Sequence, residues 1–261
     1  MKQIGLVMAN VFSLFWRLFP GRLRIGLLTG LFVLESRHGN PARGLARLLL
    51  LHDRLDWVIN ERAMIYGHGE HPKHRLTRYH DFFIERITDG ERILDVGCGY
   101  GAVARSIARA HPLCEVVGIE QDQGRLGQAR ASDNPGNLRF VEGDATQAVP
   151  AGPWNAVVLS NVLEHIVDRA GFLKALQVST SSSRYLIRVP LFERDWQMAL
   201  RRELGVDFRS DSDHKIEHTL AEFSGEVTAA GLVIVEMLTL WGEIWADCRP
   251  MDAKERLVGC R

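Results

Sequence analysis

Hydrophobic positions divide this chain into two regimes. From Arg92 onward, short apolar runs alternate with stretches of helical period, the pattern of βαβ units that build a largely parallel sheet. Strands are predicted at Arg92–Val96, Glu115–Glu120, Leu138–Val141, Asn155–Ser160 and Tyr185–Val189. After the first strand a glycine turn leads into a helix whose inner face is Val103, Ile107 and Ala110. Asp168 is placed to cap a helix that buries Phe172, Leu173 and Leu176. Thr219 with Glu222 reads as a capping box for a helix presenting Leu220, Phe223 and Val227, which Gly231 stops. Leu232–Leu238 and Glu243–Cys248 then close the pattern as a pair of strands. The fold class implied is α/β, a doubly wound and mostly parallel sheet of seven strands with one of them reversed.

Before Arg92 the pattern is helical. Residues 3–16 are uncharged and follow Lys2, as in a secretory signal, but no small-residue cleavage site follows and Arg17, Arg22 and Arg24 come at once. The run is short of the ~20 apolar residues that span a bilayer. Ile25–Leu34 is shorter still, and Pro20-Gly21 separates the two. The prediction is a helical hairpin or two short helices, either buried in the protein or lying on a membrane surface. The chain thus divides into a helical, basic and apolar extension at 1–60, a lid or leading helix at 61–90, and the sheet domain at 91–261.

Charge sharpens that division. Over all 261 residues Lys plus Arg equals Asp plus Glu at 32 each, so no net field points to a nucleic acid. Residues 1–54, however, carry Lys2, Arg17, Arg22, Arg24, Arg37, Arg43, Arg47 and Arg54 against only Glu35 and Asp53. Peripheral contact with a membrane through this segment is therefore one expectation. The four cysteines have neither close pairing nor metal-type spacing, which fits reduced thiols in a cytoplasmic protein.

The candidate chemistry begins at Asp95-Val96-Gly97-Cys98-Gly99-Tyr100-Gly101, which ends a strand and opens a helix. Glycines allow a tight turn and close approach of a ligand, and the helix start offers free N–H groups. Gly97, Gly99 and Ala102 also satisfy a dinucleotide pattern, with Glu120 at a distance suited to a ribose diol. Three features favour an adenosyl amino acid instead. Asp95 would bind an ammonium group but repel a pyrophosphate. Gly143-Asp144-Ala145 follows the third strand, where a carboxylate can accept from an adenine amino group. Ser160-Asn161-Val162-Leu163-Glu164-His165 puts polar groups at the carboxyl end of the fourth strand, where α/β folds bind ligands.

With ILDVGCGYG, VVGIEQD, FVEGDA and LSNVLEHI in this order, residues 92–165 resemble the class I S-adenosylmethionine-dependent methyltransferases, in their type 11 and quinone-biosynthesis branch. AAGLVIVEM fits the end of that fold more loosely, and residues 1–60 lie outside the resemblance. The resemblance implies a cofactor, S-adenosylmethionine, and roles at matching positions. Gly97, Gly99 and Gly101 would form the loop beneath the methionine part, with Asp95 before it. Glu120 would hold the ribose hydroxyls with Gln121 beside the ring, Asp144 and Ala145 would frame the adenine, and Asn161 would approach from the fourth strand. Some related quinone methyltransferases hold a divalent ion through Glu-x-x-Glu-His. Here Asn161 replaces the first Glu, and no metal is expected.

His165 is the first choice for a catalytic base, with His214 and His218 as alternatives. Residues 205–218 read as an insertion that builds the acceptor pocket. In HGEHPKHRL, at residues 68–76, a basic lid offering Lys73, His74 or Arg75 to an anion is favoured over a zinc site. Trp196 and Trp241 read as packing residues. The activity expected is methyl transfer to a small-molecule acceptor, O-methylation of a glycan, lipid or related precursor. A nicotinamide oxidoreductase and a methyltransferase-like scaffold without chemistry are the rivals.

Overall fold

The computed structural model describes residues 12–37, 39–69 and 71–252. Residues 3–11 of the apolar run, and Cys260, lie outside the described residues. The chain forms two compact units, one of residues up to 69 with 200–207, the other of 70–199 with 208 onward.

The larger unit is built on one sheet. Its strands are β1 (Arg92–Val96), β2 (Glu115–Glu120), β3 (Leu138–Glu142), β4 (Ala156–Ser160), β5 (Arg184–Pro190), β6 (Leu232–Leu240) and β7 (Glu243–Pro250). They lie in the order β3-β2-β1-β4-β5-β7-β6. The neighbours among β1 to β5 all pair in parallel, while β7 runs antiparallel to both β5 and β6. The seven strands and the single reversed one match the sequence expectation. Between β1 and β4 the winding changes direction, the switch point at which open α/β sheets bind their ligands.

Burial on both faces explains why these strands read as continuous apolar runs. Alternation sends Leu94 and Val157 to one side, where Phe172, Leu173, Leu176, Phe223 and Val227 cover them. It sends Ile93 and Val158 to the other, against Phe82, Phe83, Val103 and Ile107. The helix Ala102–Ala110 buries Val103, Ala104, Ile107 and Ala108. Ala110 is exposed, contrary to expectation. It closes the final turn, beyond the sheet-facing stripe.

Local caps act where the sequence placed them. The Asp168 carboxylate accepts from the Gly171 N–H at 2.8 Å and starts the helix Arg169–Thr180. The Thr219 hydroxyl accepts from the Glu222 N–H at 3.1 Å, and the Glu222 carboxylate accepts from the Thr219 N–H at 2.9 Å. Trp241 and Gly242, with φ of 55° and 78°, join β6 to β7 in the doubly left-handed turn that suits a tight hairpin. Trp241 and Trp196 are 68% and 72% exposed, so neither is the packing residue expected of it.

Gly101 shows how the loop after β1 is fitted to the sheet. It has φ of 74°, and a Cβ there would lie 2.4 Å from Cζ of Phe140 on β3. Gly101→Ala is expected to cost about 1–3 kcal/mol through overpacking and backbone strain. Urea unfolding checks this, and unchanged stability would mean that the loop yields freely.

The smaller unit contains the helices Gly21–Ser36 and Pro41–Tyr66, the second of which continues past residue 60. The Asn40 side chain caps that helix by accepting from the Arg43 N–H at 2.9 Å, and Pro41 occupies its first turn. At Gly44 a Cβ would sit 2.0 Å from the Ser36 carbonyl oxygen, so only glycine permits this close approach at the turn of the hairpin. The buried Arg201 donates to Asp53 at 2.7 Å and to the Leu49 carbonyl at 3.2 Å.

Candidate active site

The carboxyl ends of β1, β2, β3 and β4 surround a cavity of about 180 Å³. Gly97, Glu120, Gln121, Asp144, Ala145, Asn161 and His165 line it, as do Arg125, Val162, Phe172 and Asp213. Asp95, Gly99 and Gly101 stand outside that lining. The sequence gives no signal for Arg125 or Phe172 as site residues, which arrive through helix placement, whereas Asp213 belongs to the inserted segment expected to build the acceptor pocket.

Gly97, Gly99 and Gly101 have φ of 64°, 56° and 74°, so the chain after β1 turns through three left-handed positions. The pairing of β1 with β2 brings this loop against Glu120. The Gly99 N–H donates to Oε2 of Glu120 at 2.9 Å, and the Asp122 N–H to Oε1 at 2.8 Å. Two backbone donors thus fix the carboxylate, and each oxygen keeps a lone pair for a hydroxyl donor.

Asp95 is 1% exposed, and its Oδ2 has no hydrogen-bond partner. Burial raises its pKa to about 7; the Ala104 N–H opposes the rise and the Glu120 charge adds to it. A buried carboxyl so placed gains from a cation such as an ammonium group. Asp144 is shaped by a tight turn in which its Oδ1 accepts from the N–H and hydroxyl of Thr146, at 2.8 and 2.7 Å. Asn161 sits at φ of 58°, anchored by its N–H to the Arg188 carbonyl at 2.8 Å. Its buried Oδ1 has no partner.

His165 ends a short 3₁₀ turn, Leu163–His165, after β4. Its Nδ1 lies 3.1 Å from the Asp213 carboxylate, and its ring meets His214 edge-on with centroids 4.7 Å apart. Burial lowers its pKa below the usual value; His214 and Arg125 act in the same direction, against Asp213 and Asp211. The neighbouring Glu164 is fully buried, with neither oxygen hydrogen-bonded. Burial pushes its pKa up to about 8, so it is mostly protonated at neutral pH. Glu164, His165 and His214 each offer a donor atom, and all three atoms lie within 4.8 Å of one another. One carboxylate and two imidazoles form a set that a divalent transition ion could accept.

The inserted segment reaches the cavity through Asp213 and braces it through His214. The His214 Nδ1 is 2.9 Å from Glu217, which Arg194 also engages. Burial would lower the His214 pKa, but the Glu217 hydrogen bond together with the charges of Glu164, Glu217 and Asp211 outweighs it, and the net shift is upward. His218 is fully buried against Glu226 at 3.0 Å, and Arg169 holds the same carboxylate at 2.6 Å. Burial raises the Glu226 pKa, yet His218 and Arg169 prevail and hold it at about 2. His218 is therefore a poor choice of base.

Lys73, His74 and Arg75 do not line the cavity. The His74 Nδ1 meets the Tyr79 hydroxyl at 2.9 Å, and Lys73 lies within electrostatic reach of Arg188 and Glu243. Arg188 donates to Glu243 at 2.6 Å and stacks over the Tyr79 ring at 3.9 Å. Among the described residues, the groups of three metal-type side chains are Glu164–His165–His214 and Asp89–His111–Cys114, so residues 68–76 supply none.

Residues 68–237, more than half of the chain, match the family described as Methyltransferase domain. The chain belongs to this family. The ubiquinone biosynthesis O-methyltransferase of Aeromonas salmonicida is 29% identical over 196 residues, covering 70% of this chain and 71% of that protein. The trans-aconitate 2-methyltransferase of Streptomyces avermitilis is 32% identical over 109 residues, covering 38% of this chain and 40% of that one. A magnesium protoporphyrin IX methyltransferase from Synechocystis, solved with bound SAH, superposes with a TM-score of 0.53 at 16% identity. That match covers 67% of this chain and 83% of the other, and carries the fold. The chain is an S-adenosylmethionine-dependent methyltransferase with a Rossmann-like sheet.

The cavity fits that cofactor. Unpartnered buried oxygens on Asp95 and Asn161 offer acceptors for an ammonium group. At Gly97 a Cβ would already be 3.0 Å from Val162, so glycine keeps the floor of the loop open. The nicotinamide oxidoreductase is set aside by the family assignment.

Proposed function

We propose that this methyltransferase methylates a hydroxyl oxygen of a small molecule with an apolar or lipid-like body, a glycan or lipid precursor among the candidates. The observation that carries the reading is His165, a cavity-lining imidazole with lowered pKa, held by Asp213. A hydroxyl acceptor must shed a proton as its oxygen becomes methylated, and a neutral imidazole can take it. The kinship to a ubiquinone biosynthesis O-methyltransferase points the same way.

In this reading Glu120 receives the ribose hydroxyls, with Gln121 beside the ring. Asp144 and Ala145 border the adenine, and Asp95 with Asn161 takes the ammonium group. Gly97 and Gly99 form the floor, and Gly101 holds the loop to β3. The bound cofactor supplies an activated methyl group for in-line displacement. The protein positions the acceptor, excludes water through Val162, Ile166 and Phe172, and receives the proton at His165. Incubation with radiolabelled cofactor and a panel of phenols, hydroxylated lipids and carboxylic acids tests the assignment. Label is expected in hydroxylated members; transfer confined to carboxylates would overturn the O-methylation of a hydroxyl and remove the need for a base.

A further inference from the structure

Most of the large apolar residues of the hairpin Gly21–Ser36 and Pro41–Tyr66 are exposed, Leu49 on the second helix being buried. The first helix has no buried residue at all. Leu23, Ile25, Leu27, Leu28, Leu31, Phe32, Val33 and Leu34 are each at least 40% exposed. At 100° per residue these eight positions are spread around the whole circumference, not gathered in one stripe. A folded protein partner covers one face of a helix. A fluid apolar phase covers every face that the second helix leaves open. The second helix adds Leu50, Leu55, Trp57, Val58 and Ile59, also exposed.

Charge selects the kind of surface. Glu35 pairs with Arg47 at 3.2 Å, Asp53 with Arg201 at 2.7 Å, and Glu61 with Arg62 at 2.6 Å. Asp56 lies 3.3 Å from His52. Among the described residues Arg17, Arg22, Arg24, Arg37, Arg43 and Arg54 form no ion pair. Arg22 and Arg24 begin the first helix, Arg37 follows its end, and the ten residues Ile25–Leu34 between them are uncharged. An apolar stretch bordered at both ends by guanidinium groups outside any described ion pair, exposed at Arg22 and Arg37 and part-buried at Arg24, matches acyl chains bordered by headgroup phosphates. No helix of the described residues is long and apolar enough to cross a membrane. The 16 residues of the first helix extend only ~24 Å, short of a bilayer core.

We infer that this hairpin is a monotopic docking element for an anionic lipid bilayer, with Ile25–Leu34 at the acyl boundary and the arginines at lipid phosphates. The inference stands independently of which acceptor is methylated. The test uses the full chain with vesicles of phosphatidylcholine, alone or mixed with phosphatidylglycerol, in flotation gradients. Association with the anionic vesicles is expected to be at least about tenfold stronger than with the neutral ones, and to weaken in high salt. Leu28→Glu with Leu31→Glu should abolish flotation, and Arg22→Glu with Arg24→Glu should reduce it. All four side chains lie outside the core, and circular dichroism verifies that each variant is folded. Brominated acyl chains should quench part of the tryptophan fluorescence, and less of it in Trp57→Phe. Three results would each overturn the inference. They are absence of the protein from floated anionic vesicles at low salt, flotation unchanged in the folded Leu28/Leu31 variant, and a stable dimer that covers the hairpin and does not float.

Discussion

His165→Gln is expected to lower turnover by about 100-fold or more while leaving cofactor affinity close to wild type. Asp213 fixes the reason. A carboxylate beside Nδ1 accepts a hydrogen bond, so the proton of the neutral ring belongs on Nδ1 and the lone pair on Nε2. Glutamine can fill the space and retain some hydrogen bonding, but it cannot take a proton at neutral pH. The pH profile carries the sign. Only the neutral ring is a base, so the rate should rise with pH through the pKa of His165. Burial, helped by His214 and Arg125, lowers that pKa below its ordinary value, so wild-type activity should level off from about pH 7 upward. In His165→Gln this rise should flatten, which a purely structural role would not produce. Wild-type turnover in the variant across about pH 6 to 9, with the hydroxylated acceptor, would remove His165 from catalysis.

The parallel sheet was legible in the sequence because its strands are buried on both faces. Ile93, Leu94, Val157 and Val158 therefore form unbroken apolar runs, bounded by turns. The cavity at the ends of β1 and β2 was legible for a related reason. A left-handed loop at the end of β1 requires glycine, and a carboxylate one strand away has a fixed place at the end of β2. What local pattern could not give is contact between distant segments. Asp213 reaches His165 from an insertion 48 positions later, and no periodicity encodes that meeting. His214 and His218 look equivalent in the sequence, yet one stacks beside His165 and the other is locked to Glu226. Ala110 and Trp241 failed for a simpler reason. Each lies at the end of an element, where a periodic stripe no longer determines what is covered.

Glu120→Ala is expected to weaken binding of S-adenosylmethionine and its demethylated product by about tenfold to 100-fold. A hydrogen bond to a charged group contributes about 1.5–3 kcal/mol, and Glu120 has a free lone pair on each oxygen for the two ribose hydroxyls. Alanine also leaves the Gly99 and Asp122 N–H groups without their present acceptor, so the loop after β1 loses its tie to β2. Calorimetry on Glu120→Gln separates these contributions. Its amide oxygen can still accept from one of the two backbone donors, while the charge is gone. Affinity should then fall between wild type and Glu120→Ala if both the loop tie and the ribose contact matter. Gly99→Val acts on the same loop from the other side. No atom lies within 4 Å of an added Cβ there, so the harm comes from forcing a β-branched residue to φ of 56° rather than from a clash. Both Glu120→Ala and Gly99→Val are therefore expected to weaken binding, one through the ribose contact and the other through the loop. Unchanged affinity in both variants would mean that the cofactor does not occupy this cavity.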